Sequence, residues 1–331
     1  MTSDREQFLA IVQRGDVLDA QLANALTEAG IAPSLARWRQ FIDGLLLWLG
    51  ASAAAAGVLF FFAYNWDGMD RLAKFALVQG LLIAVLAAYV WWRENPALGK
   101  ALLFSASILT GVLLALFGQT YQTGVDPWQL FAMWAVMIVP WTVLSRFAPQ
   151  WLLVLGLINV AVMLFWDAFR PALAHGLFSQ FEVTLWSVLA LNNGVALVLW
   201  EFCRPQYEWM QSEYARRIMA LATGIPATIV AIIAVTFRFE SASLIALFAW
   251  LALCAALYFF YRFRQADLFV VAGTCVSLAL VFLVFVGDKV FSFRLDEGSL
   301  FILMAMLIVG LGTLVAIWIR RIQKAMLAEQ A

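Results

Sequence analysis

Apolar runs of roughly membrane-crossing length recur from residue 44 to near the end of the chain, broken by short polar stretches. The runs are 44–64, 73–92, 100–118, 129–145, 151–166, 181–202, 218–236, 242–261, 266–286 and 298–319. A helix needs about 20 largely apolar residues to cross about 30 Å of hydrocarbon. The pattern therefore predicts an all-α polytopic membrane protein, a bundle of about ten transmembrane helices. Several runs are parted by only a few residues, which makes those neighbours antiparallel hairpins. The fourth and fifth are short and separated by Ser145–Gln150 alone.

Residues 1–43 follow another pattern. Phe8, Ile11 and Val12 recur at helical spacing, as do Leu18, Leu22, Leu26 and Ile31. Asp16 suits an N-cap, Gly30 a stop, and Pro33 a restart. Acidic and basic residues from Asp4 to Asp43 leave no early apolar stretch of signal-peptide type, so the first span is its own insertion signal. The expected organisation is a cytoplasmic amphipathic helical segment (1–43), a transmembrane bundle (44–320) and a cytoplasmic tail (321–331).

Composition agrees with lipid as the solvent: 64% of residues are hydrophobic, 13% are charged, and the mean hydropathy is +0.88. The formal net charge is zero, and no basic block points to nucleic acid, so membrane lipid is the expected partner. Cys254 and Cys275 lie within apolar runs and Cys203 at the end of one, which argues against a disulfide framework. Basic residues set the orientation. With the N-terminus inside, the inner segments hold Arg5, Arg14, Arg37, Arg39, Arg93, Lys100, Arg146, Arg204, Arg216, Arg217, Arg262, Arg264, Arg320, Arg321 and Lys324. The outer ones hold only Arg71, Lys74, Arg170, Arg238, Lys289 and Arg294. Both termini are therefore expected in the cytoplasm.

Polar groups deep in a span are costly in lipid and are the first functional suspects. Asn192 and Asn193 fall near the middle of the sixth run, where they either line a cavity or bond another helix. Ser105, Ser107, Thr110, Thr274 and Ser277 can bond their own helix backbone. No ionisable residue occupies the centre of a run. Asp43, Glu182, Glu201 and Asp267 fall at run ends, where water or headgroups solvate them, which disfavours proton-pump or voltage-sensor chemistry. Pro140, Gly224, Pro226, Gly310 and Gly312 are helix breakers within runs, a weak hint of unwound binding segments. His175 is the only histidine, so a multi-histidine metal site is excluded within one chain. No nucleotide-binding loop or nucleophile elbow is present, and no cofactor is expected. The Tyr261-Arg262-Phe263-Arg264 stretch and the Arg320-Arg321 pair read as topology anchors.

Two predicted outer segments carry the most distinctive chemistry: Asn65-Trp66-Asp67-Gly68-Met69, and the run from Gly118 to Gln129. Asn65, Trp66, Asp67, Gln119, Tyr121, Gln122, Asp126 and Trp128 there, with Asn192 and Asn193, form the candidate ligand-binding set. Their amide, hydroxyl, indole and carboxylate groups suit a neutral polar or lipid-like ligand. The structural alternative is equally concrete: Asp126 as N-cap with Pro127 at the first helical position, and Trp66, Tyr121 and Trp128 as interfacial rings.

The Gly118-to-Phe131 stretch, the upstream Asn-Trp-Asp and the small helical N-terminus resemble the bacterial DUF2157 family of predicted membrane proteins. The resemblance is carried by residues 1 to about 145. It implies a bacterial inner-membrane setting and a possible envelope complex with other small membrane proteins; it implies no activity. Three classes of function follow. A transporter or flippase-like protein accounts for ten helices and the polar outer loops. A non-catalytic scaffold or sensor subunit accounts for the N-terminal helices and the lack of coupling charges. A membrane enzyme would need a carboxylate site near a face, and Asp67 with Asp126 on the outer side is the one pairing to try.

Overall fold

The computed structural model describes residues 35–65, 68–92, 94–121, 124, 126–169, 181–236, 241–291 and 297–330. Ten α-helices make up the described chain: α1 Leu35–Asn65, α2 Arg71–Trp91, α3 Pro96–Tyr121, α4 Pro127–Ser145, α5 Ala148–Ala168, α6 Phe181–Cys203, α7 Glu213–Thr236, α8 Ser241–Phe259, α9 Leu268–Phe291 and α10 Glu297–Gln330. Two 3-10 turns, Arg204–Gln206 and Glu208–Met210, join α6 to α7, and a π-helical turn, Phe260–Arg264, ends α8. No strand occurs among the described residues. Nine helices, α2 to α10, are long and apolar enough to cross a membrane. They coincide with the second to tenth predicted runs, and the first, 44–64, lies within α1. This is a multi-pass helical membrane protein. The expected N-terminal helices before residue 35, Trp66, Asp67, Gln122 and His175 lie outside the described residues.

The chain divides into two compact units, one of residues 1–105 with 327–331, the other of residues 106–326. In the first, α1 runs unbroken through position 43, where a boundary was expected. Asn95 caps α3: its Oδ1 accepts the backbone N–H groups of Ala97 and Leu98, both at 3.2 Å, and Pro96 takes the first helical position. That is the arrangement in which a missing proline N–H costs nothing. Val78 of α2 is wholly buried.

The second unit is organised around α7, the helix with the largest buried share of its apolar stretch, 56%. α6, α8 and α9 pack against it, and α4 pairs with α5 as a tight hairpin. Small and β-branched residues (Ala215, Ala227, Val230, Ala231, Ala234) let neighbouring backbones approach α7 closely. Pro226 and Pro140 sit inside α7 and α4, and both helices continue through them.

Hydroxyls do more here than back-bond. Ser105, Thr110 and Thr274 donate to their own helices as expected, onto the carbonyls of Ala101, Ala106 and Val271. Ser107 and Ser277 serve neighbours. The fully buried Gln150 donates to Ser107 Oγ at 2.7 Å, and Trp134 Nε1 donates to the Ser107 carbonyl at 2.8 Å, tying α3, α4 and α5 together. Ser277 Oγ meets Thr228 Oγ1 at 2.6 Å and accepts Trp250 Nε1 at 3.1 Å, tying α7, α8 and α9.

The Trp134 ring lies directly on Gly111, where a β-carbon would come within 2.3 Å of it. The ring cannot swing aside without losing its bond to Ser107. Gly111→Ala is therefore expected to destabilise the protein by about 1–3 kcal/mol despite alanine's better helix propensity. Gly118→Ala, whose β-carbon meets nothing within 4 Å, serves as the control and should be neutral or stabilising. Thermal unfolding of the two variants in detergent separates these outcomes.

Candidate functional site

Asn192 and Asn193 of α6 meet Asn159, at the middle of α5. Asn159 Nδ2 donates to Asn193 Oδ1 at 2.8 Å, and Asn159 Oδ1 accepts Nδ2 of Asn192 at 2.9 Å and of Asn193 at 3.1 Å. Asn193 Nδ2 also donates to the Leu189 carbonyl at 2.8 Å. Asn193 is buried and spoken for, so its role is an interhelical clasp. Asn192 is half-buried and also lines a cavity. The pattern of polar residues passes over Asn159, although it lies in an apolar run at the same depth as the pair it bonds.

The loop residues are less concentrated. Asn65 is the last residue of α1. Gln119, near the end of α3, is exposed, and so is Tyr121, the last residue of that helix, whose ring lies 4.9 Å from that of Phe117. Asp126 occupies the N-cap position of α4 with Pro127 following, yet its side chain makes no capping bond; its carbonyl accepts Gln129 N–H at 3.0 Å. Trp128 packs edge-on against Phe165 of α5 at 5.1 Å. No hydrogen bond joins Gln119, Asp126 and Trp128 to one another among the described residues.

The densest electrostatics lie elsewhere, at the end of the second unit where α6 and α8 finish and α7 and α9 begin. Asp267 and Arg216, 2% and 4% exposed, form a buried ion pair, so Asp267 is enclosed rather than solvated as its place at a run end implied. Asp267 further accepts Arg217 Nε on both oxygens, at 3.3 and 3.2 Å, and the Phe269 N–H at 2.9 Å, capping α9. Arg217 continues to Glu213 at 2.9 Å. Tyr261 is likewise no surface anchor: it is buried in the π turn and donates to Glu201 Oε1 at 2.9 Å. Arg204 donates to Gln265 at 2.8 Å. Burial pushes the Asp267 carboxyl up, but the Arg216 guanidinium and the bonds from Arg217 and Arg216 more than offset it, holding the group below its ordinary value. Every carboxylate oxygen of Asp267 is occupied by these partners, which makes the cluster a structural lock rather than a reactive centre.

Two cavities flank α5. One, of about 1020 Å³, is walled by α4, α5, α6 and α7, and runs from Asn192 to Arg146, Cys203, Tyr207 and Trp209. Its rim residues Leu144, Val195 and Leu199 are each half-exposed or more, so it opens on the flank of the bundle. The other, of about 490 Å³, extends from Trp128 along α4 and α5. Val154 and Ile158 line both, so the two adjoin at the middle of α5. A third cavity of about 290 Å³, between α7, α8 and α9, is apolar apart from a few hydroxyls and the Cys254 thiol.

Residues 12–151 match the family model DUF2157, described as predicted membrane protein. Neither a search of curated proteins nor one of solved structures finds a match. The DUF2157 match takes in the Gln119–Trp128 stretch and Arg146, and it ends at Trp151, before Asn159 and the Asp267 cluster. No group of three or more metal-ligating side chains occurs among the described residues.

Asp267→Asn leaves Arg216 charged, buried and poorly paired, and is expected to cost about 3–5 kcal/mol. Asp267→Leu with Arg216→Met should recover most of that loss, as read by thermal unfolding in detergent. Because the folded carboxyl lies below its unfolded value, its stabilising contribution is complete above roughly pH 4 and is lost as pH falls through the folded value. Asp126→Ala removes no capping bond, so its stability should stay within about 0.5 kcal/mol of the parent; a larger loss in the same unfolding measurement would reinstate a capping role.

Proposed function

We propose that this protein is a carrier of flippase type for a lipid-like amphiphile, acting at the flank formed by α4, α5 and α6. The observation that carries this reading is the pair of cavities meeting at Val154 and Ile158. Together they follow α5 over most of its length, from Trp128 beside Phe165 to Arg146 beside Trp151. Their walls are apolar, with polar groups at the Arg146 end and one amide, Asn192, at mid-depth. A water-soluble solute would need a polar path, whereas a hydrocarbon chain fits apolar walls and a flank open to lipid. The bias of basic residues supports an orientation with Arg146 at the cytoplasmic face of a bacterial inner membrane and Trp128 at the outer face.

The second reading, a scaffold or sensor subunit assembling with other small membrane proteins, draws on α10. None of its apolar stretch is buried, and Phe301, Met306, Val309 and Leu314 are all exposed. A partner span would cover such a surface, and so would lipid, so the cavity pair outweighs it.

The test is lipid translocation in proteoliposomes, followed by reduction of a headgroup-labelled fluorescent phospholipid from outside. The protein should accelerate exchange over empty vesicles, and Ile158→Trp, which fills the junction of the cavities, should return the rate to the empty-vesicle value while the helical spectrum is unchanged. Wild-type protein no faster than empty vesicles would remove the carrier reading.

A further inference from the structure

The larger cavity has a polarity along its length. At one end stands Arg146, exposed, with no carboxylate within ion-pair distance among the described residues. It is also the one described non-glycine residue with a positive φ, 45°, a backbone state that favours glycine or asparagine over arginine. Around this end Tyr207 and Trp209 form an aromatic rim, with Trp209 stacked on Trp151 and edge-on to Trp200. The indole N–H groups of Trp151 and Trp200, both wall residues, have no acceptor. No Asp or Glu lines the cavity. From this end to Asn192 the walls are apolar. Over the stretch Asn192 to Cys203, α6 rises roughly 16 Å at about 1.5 Å per residue. That is close to half of a hydrocarbon core about 30 Å thick, the depth of a single leaflet.

We propose that this groove is a binding site for a glycerophospholipid with an anionic headgroup, its phosphate against Arg146 and one acyl chain lying along α6 toward Asn192. The inference names the ligand of the lipid-carrier reading above and rests on it. Charge decides the headgroup. A choline or ethanolamine headgroup would bring a second cation beside Arg146, with no wall carboxylate to hold it. A headgroup without that cation leaves the phosphate free to pair with the guanidinium, and a small tilt of the Trp200 or Trp151 ring offers its N–H to a phosphate or ester oxygen. Length decides the lipid over a short-chain amphiphile, since the groove matches one leaflet.

The experiment uses the full-length protein in mild detergent, exposed to equal amounts of phosphatidylglycerol and phosphatidylcholine with identical acyl chains, with retained lipid counted by native mass spectrometry. Phosphatidylglycerol should be retained in preference. Arg146→Gln should cut the phosphatidylglycerol-to-phosphatidylcholine ratio about fivefold, and Arg146→Lys, which keeps the charge, should preserve most of it. Leu199→Trp, which narrows the groove, should displace both lipids. Equal retention of the two lipids by the parent, both lost in Leu199→Trp, overturns the anionic assignment while the carrier reading stands. A ratio unmoved by Arg146→Gln likewise overturns the role of Arg146. Retention untouched by Leu199→Trp overturns both readings, because the lipid then sits elsewhere. Unchanged thermal unfolding of the Gln and Lys variants guards against loss of fold.

Discussion

Within a bilayer there is no water to satisfy a polar group, so each one has to find its partner inside the protein. In the second unit this requirement organises most of the helix bundle, the buried indole N–H groups of Trp151 and Trp200 being among the exceptions. Where only hydroxyls are present, they bond carbonyls one turn back or reach across to a tryptophan. Where amides occur at mid-depth, they pair across α5 and α6. Where charges are enclosed, as at Asp267, three donors make four bonds to one carboxylate. Apolar side chains facing lipid give no preference for one helix neighbour over another, so these polar contacts, with close packing of small residues, select which helices meet.

Helix existence and length were legible from hydropathy because the bilayer imposes one length on every crossing. Nine runs reappear as described helices, most with ends shifted by a few residues, while α10 continues to Gln330 through the expected tail. Partnership was not legible. Asn192 and Asn193 announce a polar contact, but a linear pattern does not say that Asn159, 33 and 34 residues earlier, supplies the other side. Asp267 and Arg216 looked like ordinary residues at run ends, because burial there arises from four helix termini converging, which no single segment encodes. The stretch from Tyr261 to Arg264 reads as a topology anchor for the same reason. Conversely, Asp126, in the segment with the most conspicuous local chemistry, starts α4 through its backbone carbonyl with Pro127 after it, and its side chain makes no capping bond.

The second unit thus joins two features that differ in kind. One end is fastened by the Arg216, Arg217, Asp267, Tyr261 and Glu201 contacts, which fix where α6, α7, α8 and α9 meet. Beside it, α4, α5 and α6 leave an open apolar flank. A rigid corner next to an unfilled groove is a sensible arrangement for holding a hydrocarbon chain, since the walls need not be ordered by the ligand and less conformational entropy is lost when it enters.

The Asp267 contacts also carry a consequence for biogenesis. Arg216 and Asp267 are 51 residues apart, with all of α8 between them. As the chain emerges and inserts, α7 is delivered to the membrane while its carboxylate partner has not yet been synthesised. Until α9 arrives, the guanidinium has to stay at the headgroup level, and α7 cannot settle to its final depth. Docking of the α8–α9 hairpin is then the event that neutralises the charge and draws the helix ends together. A chain interrupted before residue 267 would leave Arg216 of α7 without its counter-ion.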